Sequence, residues 1–288
     1  MHLFLPLISS LLYVVAALFL KQAALAGNDL WRTAFLCNLA TAILFLLLWP
    51  LGGESIDVRL LWQPFLIAVL FVAAQLLNFL ALKVGDVSVA TPVMGSKVVL
   101  VALFTTLTGA APVPLTLWIA AILSGLGIAF LNRKGESHHH VMRTIWLAVS
   151  AAGSYAIFDV LVMNWSPSWG AGRLLPIVMI MSALLSVVFL SFAPKKSSLN
   201  PRINRRPLYI GAFFIALQAL ILVSTLGIFG DATAVNVIYS TRGLWSVLAV
   251  IWFGHLFGNT ERDRGNAVLK SRLIGAICLS SAVALVFV

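Results

Sequence analysis

Long apolar runs separated by short polar breaks dominate this sequence. A helix rises 1.5 Å per residue, so about 20 apolar residues in a row cross a hydrocarbon core of about 30 Å. Ten stretches of that order are predicted as helices: residues 2–21, 31–51, 61–82, 88–108, 113–131, 143–164, 173–193, 207–229, 232–254 and 269–288. Helix breakers stand between them, among them Gly52-Gly53, Pro112 with Pro114, Pro194, Pro201 and Pro207. Trp31 and Trp49 bracket the second run, Trp146 and Trp165 the sixth, as expected of amphipathic indoles at headgroup level. The longest polar segments, 132–142, 194–206 and 255–268, are too short to build a core of their own. Ala24-Leu25-Ala26 before Gly27 has the look of a signal-peptide cleavage site, but no basic region precedes the apolar run. That run is therefore expected to stay as the first helix.

Composition then excludes a water-facing domain. Hydrophobic residues make up 61% and charged residues 10%, against roughly 45–50% and about 25% in soluble domains. The net charge of +10 would raise the question of nucleic acid, yet the basic residues lie in short loops beside apolar runs. There they orient the chain and meet anionic headgroups, so the expected partners are the lipid bilayer and a small-molecule substrate, with no nucleic acid. Fifteen Lys and Arg fall at the junctions after odd-numbered spans, whereas the other side carries only Arg59 and Arg173. This asymmetry puts the odd junctions in the cytoplasm and both termini outside. Cys37 and Cys278 lie inside apolar runs, and His138-His139-His140 reads as part of a solvated loop, so no metal site and no cofactor are expected.

The two halves of the chain echo each other. Gly85-Asp86, Lys97 and Gly109 recur as Gly230-Asp231, Arg242 and Gly254, each 145 residues later. Tyr13 pairs more loosely with Tyr155, and Arg32 with Arg173. The predicted organisation is a five-helix repeat over 1–131, a cytoplasmic linker over 132–142 and a second repeat over 143–288. Because five is odd, the second copy enters the membrane from the opposite side. The expected fold is thus all-α and integral to the membrane, with ten transmembrane helices arranged as two inverted five-helix repeats.

The segment Ala81-Leu82-Lys83-Val84-Gly85-Asp86-Val87-Ser88-Val89-Ala90, its echo Gly230-Asp231-Ala232-Thr233-Ala234, and the glycine-bearing Ser124-Gly125-Leu126-Gly127 together resemble the drug/metabolite transporter superfamily, specifically its ten-helix EamA-like members. The resemblance implies a transporter, not an enzyme, in a bacterial inner membrane. That family carries amino acids, sugars, nucleotide sugars, phosphorylated metabolites and drugs on one architecture. A glutamate that the family often has after the fourth helix of each half is missing here: Gly109-Ala110-Ala111 has none, and the first acid after Gly254 is Glu261.

Lys97 and Arg242 stand out because each is about ten residues, roughly 15 Å, into a span. A charge at that depth costs about 2.5 kcal/mol or more and persists only against a cavity or a partner. Two alternatives follow: the pair binds an anionic group from two sides, or acidic side chains neutralise each cation. Asp159 is the one acid well inside a span, so neutralisation leaves one positive charge over. Asp159 is itself either a counter-ion to one of the cations or a proton-coupling group. Asp86 and Asp231 read as helix N-caps. Pro92 interrupts the fourth helix just before Lys97, and irregular backbone within a membrane is tolerated where it lines a cavity. Thr91, Ser96, Asn236 and Tyr239 are accordingly expected as polar cavity-lining, substrate-binding groups, with helix-to-helix hydrogen bonding as the alternative. Gln75, Asn78 and Gln218 form a second polar set, and Tyr13 and Tyr155 are expected to face the same axis.

These features predict a secondary active transporter of a small anionic or zwitterionic metabolite, working by alternating access around a central cavity. The alternative is a lipid-phosphate flippase or another non-transport intramembrane protein. No catalytic residues are expected, and there is no Walker A motif for an ATPase. Small residues, Gly125 and Gly127 with Ser280 and Ser281, offer close packing within a monomer or across a homodimer.

Overall fold

The computed structural model describes residues 4–108, 138–194, 204–229, 232–257 and 266–285, with isolated positions between 115 and 127. Among the described residues every regular element is a helix. In chain order these are α1 (Phe4–Leu25), α2 (Leu30–Phe45), α3 (Trp62–Val84), α4 (Val87–Met94), α5 (Lys97–Thr108), α6 (His138–Trp169), α7 (Ala171–Ser186), α8 (Phe189–Phe192), α9 (Arg206–Phe229), α10 (Ala232–Ser240), α11 (Arg242–Phe253) and α12 (Asn266–Ala284). A 3-10 stretch, Leu46–Leu51, prolongs α2. Six helical segments are long and apolar enough to cross a membrane: Phe4–Leu25, Leu30–Leu51, Val58–Val84, Val141–Trp169, Ala171–Phe192 and Arg206–Phe229. They match the first, second, third, sixth, seventh and eighth predicted spans. Most of the fifth predicted span, together with Gly230-Asp231 and Glu261, lies outside the described residues. His138-His139-His140, expected in a loop, instead opens α6.

The fourth and ninth predicted spans are not single helices. At the first break, Gly95 N–H donates to Pro92 O at 2.8 Å and Ser96 N–H to Val93 O at 3.0 Å. At the second, Thr241 N–H donates to Ile238 O at 3.2 Å and Leu244 N–H to Thr241 O at 3.0 Å. These i to i+3 bonds tighten the chain for one turn and re-aim the helix that follows. Proline 92 sits inside α4, three residues before this break. Lys97 and Arg242 are the first residues after the two breaks.

The broken helices cross each other, α4 against α11 and α5 against α10. A Cβ on Gly243 would come 2.8 Å from Pro92 Cα, and one on Gly95 would come 3.9 Å from Ser240 Cβ. Since 92 pairs with 243 and 95 with 240, the two broken helices run in opposite directions. Small residues permit this approach in lipid, where apolar surface gives no drive to associate. Gly243→Ala should therefore push the crossing apart and cost about 1–3 kcal/mol, read as a lower unfolding temperature in detergent. An unchanged melting curve would mean that Pro92 yields without cost.

The long helices alternate in direction, which gives the bundle two distinct ends. At one, Lys21 Nζ donates to Leu82 O at 2.9 Å and Gly85 O at 2.5 Å, satisfying the last carbonyls of α3. Asn28 Nδ2 donates to Asn204 O at 3.0 Å and Arg32 to Pro194 O at 2.6 Å at the same end. At the other, Glu54 N–H donates to Trp169 O at 3.1 Å, Trp169 Nε1 donates to Gln63 Oε1 at 2.8 Å, and Arg173 lies 4.6 Å from the centre of the Trp49 ring. Gly53 (φ +149°) and Gly170 (φ +76°) meet backbone to backbone there, a Cβ on Gly170 falling 2.6 Å from Gly53 Cα. Only glycine satisfies both the left-handed backbone and the contact.

Asp86 corrects an expectation. It stands at the N-cap position of α4 with extended backbone, but its side chain makes no cap bond to that helix. Its carboxylate instead accepts from Arg272 Nη2 of α12 at 2.7 Å. Arg272 is wholly buried, and a buried guanidinium needs a counter-charge more than a helix needs a cap worth about 1 kcal/mol. Arg272 is one of the fifteen basic residues expected at the cytoplasmic junctions, and the structure buries it instead.

Candidate functional site

The site sits at mid-depth, where α1, α3, α6 and α9 surround the two breaks. Asp159 lies about two-thirds of the way along α6 and is buried. Its Oδ2 takes Lys97 Nζ at 2.6 Å and Asn236 Nδ2 at 2.6 Å, and the same Asn236 nitrogen reaches Ala232 O at 2.9 Å. One carboxylate oxygen thus ties α5, α6 and α10 together. Of the two roles open to Asp159, the geometry shows the counter-ion pairing, with Lys97.

Arg242 is placed differently. Its guanidinium carbon is 4.4 Å from the ring centre of Tyr13 and 4.1 Å from that of Tyr239. The two ring centres are 6.2 Å apart with planes 81° to each other, so the cation sits in the corner they make. Each cation–π contact is worth up to about 2 kcal/mol in a desolvated setting. Both rings are anchored at their hydroxyls, Tyr13 donating to Asn78 Oδ1 at 3.0 Å and Tyr239 to Gln218 Oε1 at 2.8 Å. Gln218 is held in turn by Ser9 Oγ, which donates to its backbone oxygen at 2.8 Å, and by its own Nε2 bond to Ile215 O at 3.1 Å. Among the described residues no carboxylate lies within 4.0 Å of Arg242, and its buried Nε has no hydrogen-bond partner.

These groups wall a cavity with about 40 Å³ of free space, room for about three waters at 10–15 Å³ each. Lys97, Asp159 and Arg242 share its wall with Gln75, Asn78 and Gln218, while Phe71, Phe79, Phe158 and Leu222 supply an apolar side. Three of the four tyrosines, Tyr13, Tyr155 and Tyr239, converge on it. Tyr155 and Tyr239 also flank the ammonium, with Lys97 Nζ 5.6 and 5.9 Å from their ring centres.

The polar residues expected on the wall divide. Tyr239 lines the cavity, and Asn236 stands behind it, gripping Asp159. Thr91 and Ser96 do not line it: both are buried, their hydroxyls without partners, in the segment that crosses α10 and α11. The expectation put the irregular backbone at Pro92, whereas the 3-10 turn falls at Gly95-Ser96 and changes the rotation between these residues and Lys97. Sequence reasoning missed Phe71 and Phe158, whose rings pack 5.4 Å apart beside Tyr155. Nothing in an apolar run sets them apart from lipid-facing phenylalanines.

Residues 1–133 match the EamA-like transporter family. That stretch is just under half of the chain. EamA-like proteins are part of the drug/metabolite transporter superfamily, and they are membrane transporters, not enzymes. Six helices long and apolar enough to cross a membrane put the cavity in a multi-pass membrane protein. No curated protein matches the sequence. Among solved structures, the crystal structure of a protein 15% identical in sequence matches with a TM-score of 0.60 over 96% of either chain. At that identity the likeness extends to the fold alone.

Proposed function

We propose that this protein is a secondary active transporter that carries a small anionic or zwitterionic metabolite by alternating access. The observation behind this reading is Arg242, a buried cation on a cavity wall with no carboxylate opposite it among the described residues. Lys97, Arg242 and Tyr239 are the proposed substrate-binding groups, and Asn236 holds the Asp159 counter-ion. A proton on Asp159 would free Lys97, which makes the same carboxylate the natural coupling group.

In this reading the chain makes ten crossings as two inverted five-helix repeats. The opposite directions of the α4–α5 and α10–α11 pairs and their mutual crossing at the breaks support it. Two such halves exchange an outward-open for an inward-open arrangement at similar energy. Purified protein in liposomes should then take up a radiolabelled small anion saturably. Uptake no faster than in empty liposomes, across carboxylates, phosphates and amino acids, would refute transport of this class.

The proposed orientation puts the end holding Lys21, Arg32 and Arg205 in the cytoplasm of a bacterial cell and both termini outside. In a chain whose Cys37 and Cys278 are replaced by alanine, Arg205→Cys should react with a membrane-impermeant maleimide only after the cells are opened. Asp57→Cys, exposed at the opposite end, should react in intact cells. The reverse pattern would invert the topology.

A further inference from the structure

From the charge and hydrogen-bond balance of the cavity we infer the ligand class: a small hydroxy-monocarboxylate, which carries one negative charge and one neutral hydrogen-bond donor. The inference rests on reading this cavity as the substrate site. Among the described residues three charged side chains face it, and Lys97 and Asp159 neutralise each other at 2.6 Å. Arg242 is left, so the described walls carry a single positive charge. A monoanion brings the site to neutrality. A phosphate dianion would overshoot, and a zwitterionic amino acid would leave the guanidinium's charge uncompensated in a medium that penalises it.

Two unsatisfied groups specify the rest. The Nε of Arg242, a residue 3% exposed, is a buried N–H without an acceptor. Together with a terminal N–H of the same guanidinium it forms the edge that takes both oxygens of a planar carboxylate. Gln75 Oε1, on a residue 2% exposed, is a buried acceptor without a donor, and its side chain lines the same cavity. A ligand hydroxyl supplies that donor without adding charge. Size agrees as well. Free space of about 40 Å³ corresponds to about three waters, or ~90 Å³ of liquid, the scale of a three-carbon acid. The phenylalanines that line the cavity suit its carbon chain.

The test is ligand binding to the detergent-purified full chain by calorimetry, with lactate, propionate, free alanine and inorganic phosphate as probes. Lactate should bind about tenfold more tightly than propionate, the value of one satisfied buried acceptor, and more tightly than alanine or phosphate. Gln75→Leu should bring lactate and propionate to equal affinity by weakening lactate alone. Arg242→Lys keeps the charge but not the two-pronged edge and should weaken both acids about tenfold or more. If phosphate or alanine binds more tightly than lactate, or if propionate equals lactate in the unaltered protein, the ligand class is wrong. Absence of binding by all four probes overturns it too. The ranking in the unaltered protein decides even if a variant fails to fold. Liposome uptake separates the two readings: lactate bound but not carried would sink the transporter and spare the ligand class, whereas saturable phosphate uptake without lactate binding would do the opposite.

Discussion

Arg242→Ala should abolish substrate binding and transport while leaving a protein that folds and melts nearly as before. Two opposing terms make the stability change small. The variant forfeits two cation–π contacts of up to about 2 kcal/mol each, and it also removes the cost of holding an unpaired charge at mid-membrane, about 2.5–3.5 kcal/mol on insertion scales. No such cancellation applies to an anion that pairs with the guanidinium. Truncating one side of a buried, hydrogen-bonded charge pair costs about 2–5 kcal/mol, or at least thirtyfold in affinity. Melting curves and liposome uptake, measured on the same preparation, decide the matter. A large fall in melting temperature would make Arg242 a structural residue, and full uptake by the variant would remove it from the transport path.

Lys97 should behave in the opposite way, although the sequence presents it as the partner of Arg242. Lys97→Ala leaves the Asp159 carboxyl buried with only Asn236 against it, and Asp159→Ala strands Lys97. Breaking a buried pair from one side costs about 3–5 kcal/mol, so each single variant should unfold at a clearly lower temperature. Lys97→Met combined with Asp159→Leu exchanges the pair for apolar side chains of similar bulk. The double variant should recover most of that loss, since such replacements are often neutral or better. Losses that simply add would show that the two residues act independently, which the 2.6 Å contact argues against. Activity is not expected to return with stability, because the site would no longer hold an ion pair beside Arg242.

Much of this architecture was legible in the residue pattern. Six runs of about 20 apolar residues became long helices because length and hydropathy leave a chain in lipid no other way to satisfy its backbone. Lys97, Asp159 and Arg242 were conspicuous because charge is rare and costly in such runs. The offset of 145 residues between Lys97 and Arg242 also anticipated that they stand at matching places, each just beyond a helix break. Proline 92 announced irregular backbone, yet it did not locate the break, which falls at Gly95-Ser96. The second break, at Thr241, has no proline at all.

What stayed hidden was partnership. Asp159 was open to either cation, and Asp86 had the look of a helix cap until Arg272 was found against it from 186 residues away. Tyr13 showed only as a faint echo of Tyr155, with nothing to say that it would meet Tyr239 around a guanidinium. Thr91 and Ser96 seemed to belong with Lys97 because they are near it in the chain, and one tightened turn moved them off the wall.

The sequence by itself determined that this chain lives in a membrane, which segments are helical, and which few charged side chains must be accounted for at depth. Those conclusions follow from local quantities, hydropathy per residue and rise per residue, that do not depend on neighbours. Only the tertiary structure decided which charges cancel. Pairing depends on how helices rotate and cross, and two buried cations that look alike in the sequence were separated by a single contact: one took Asp159, and the other kept its charge.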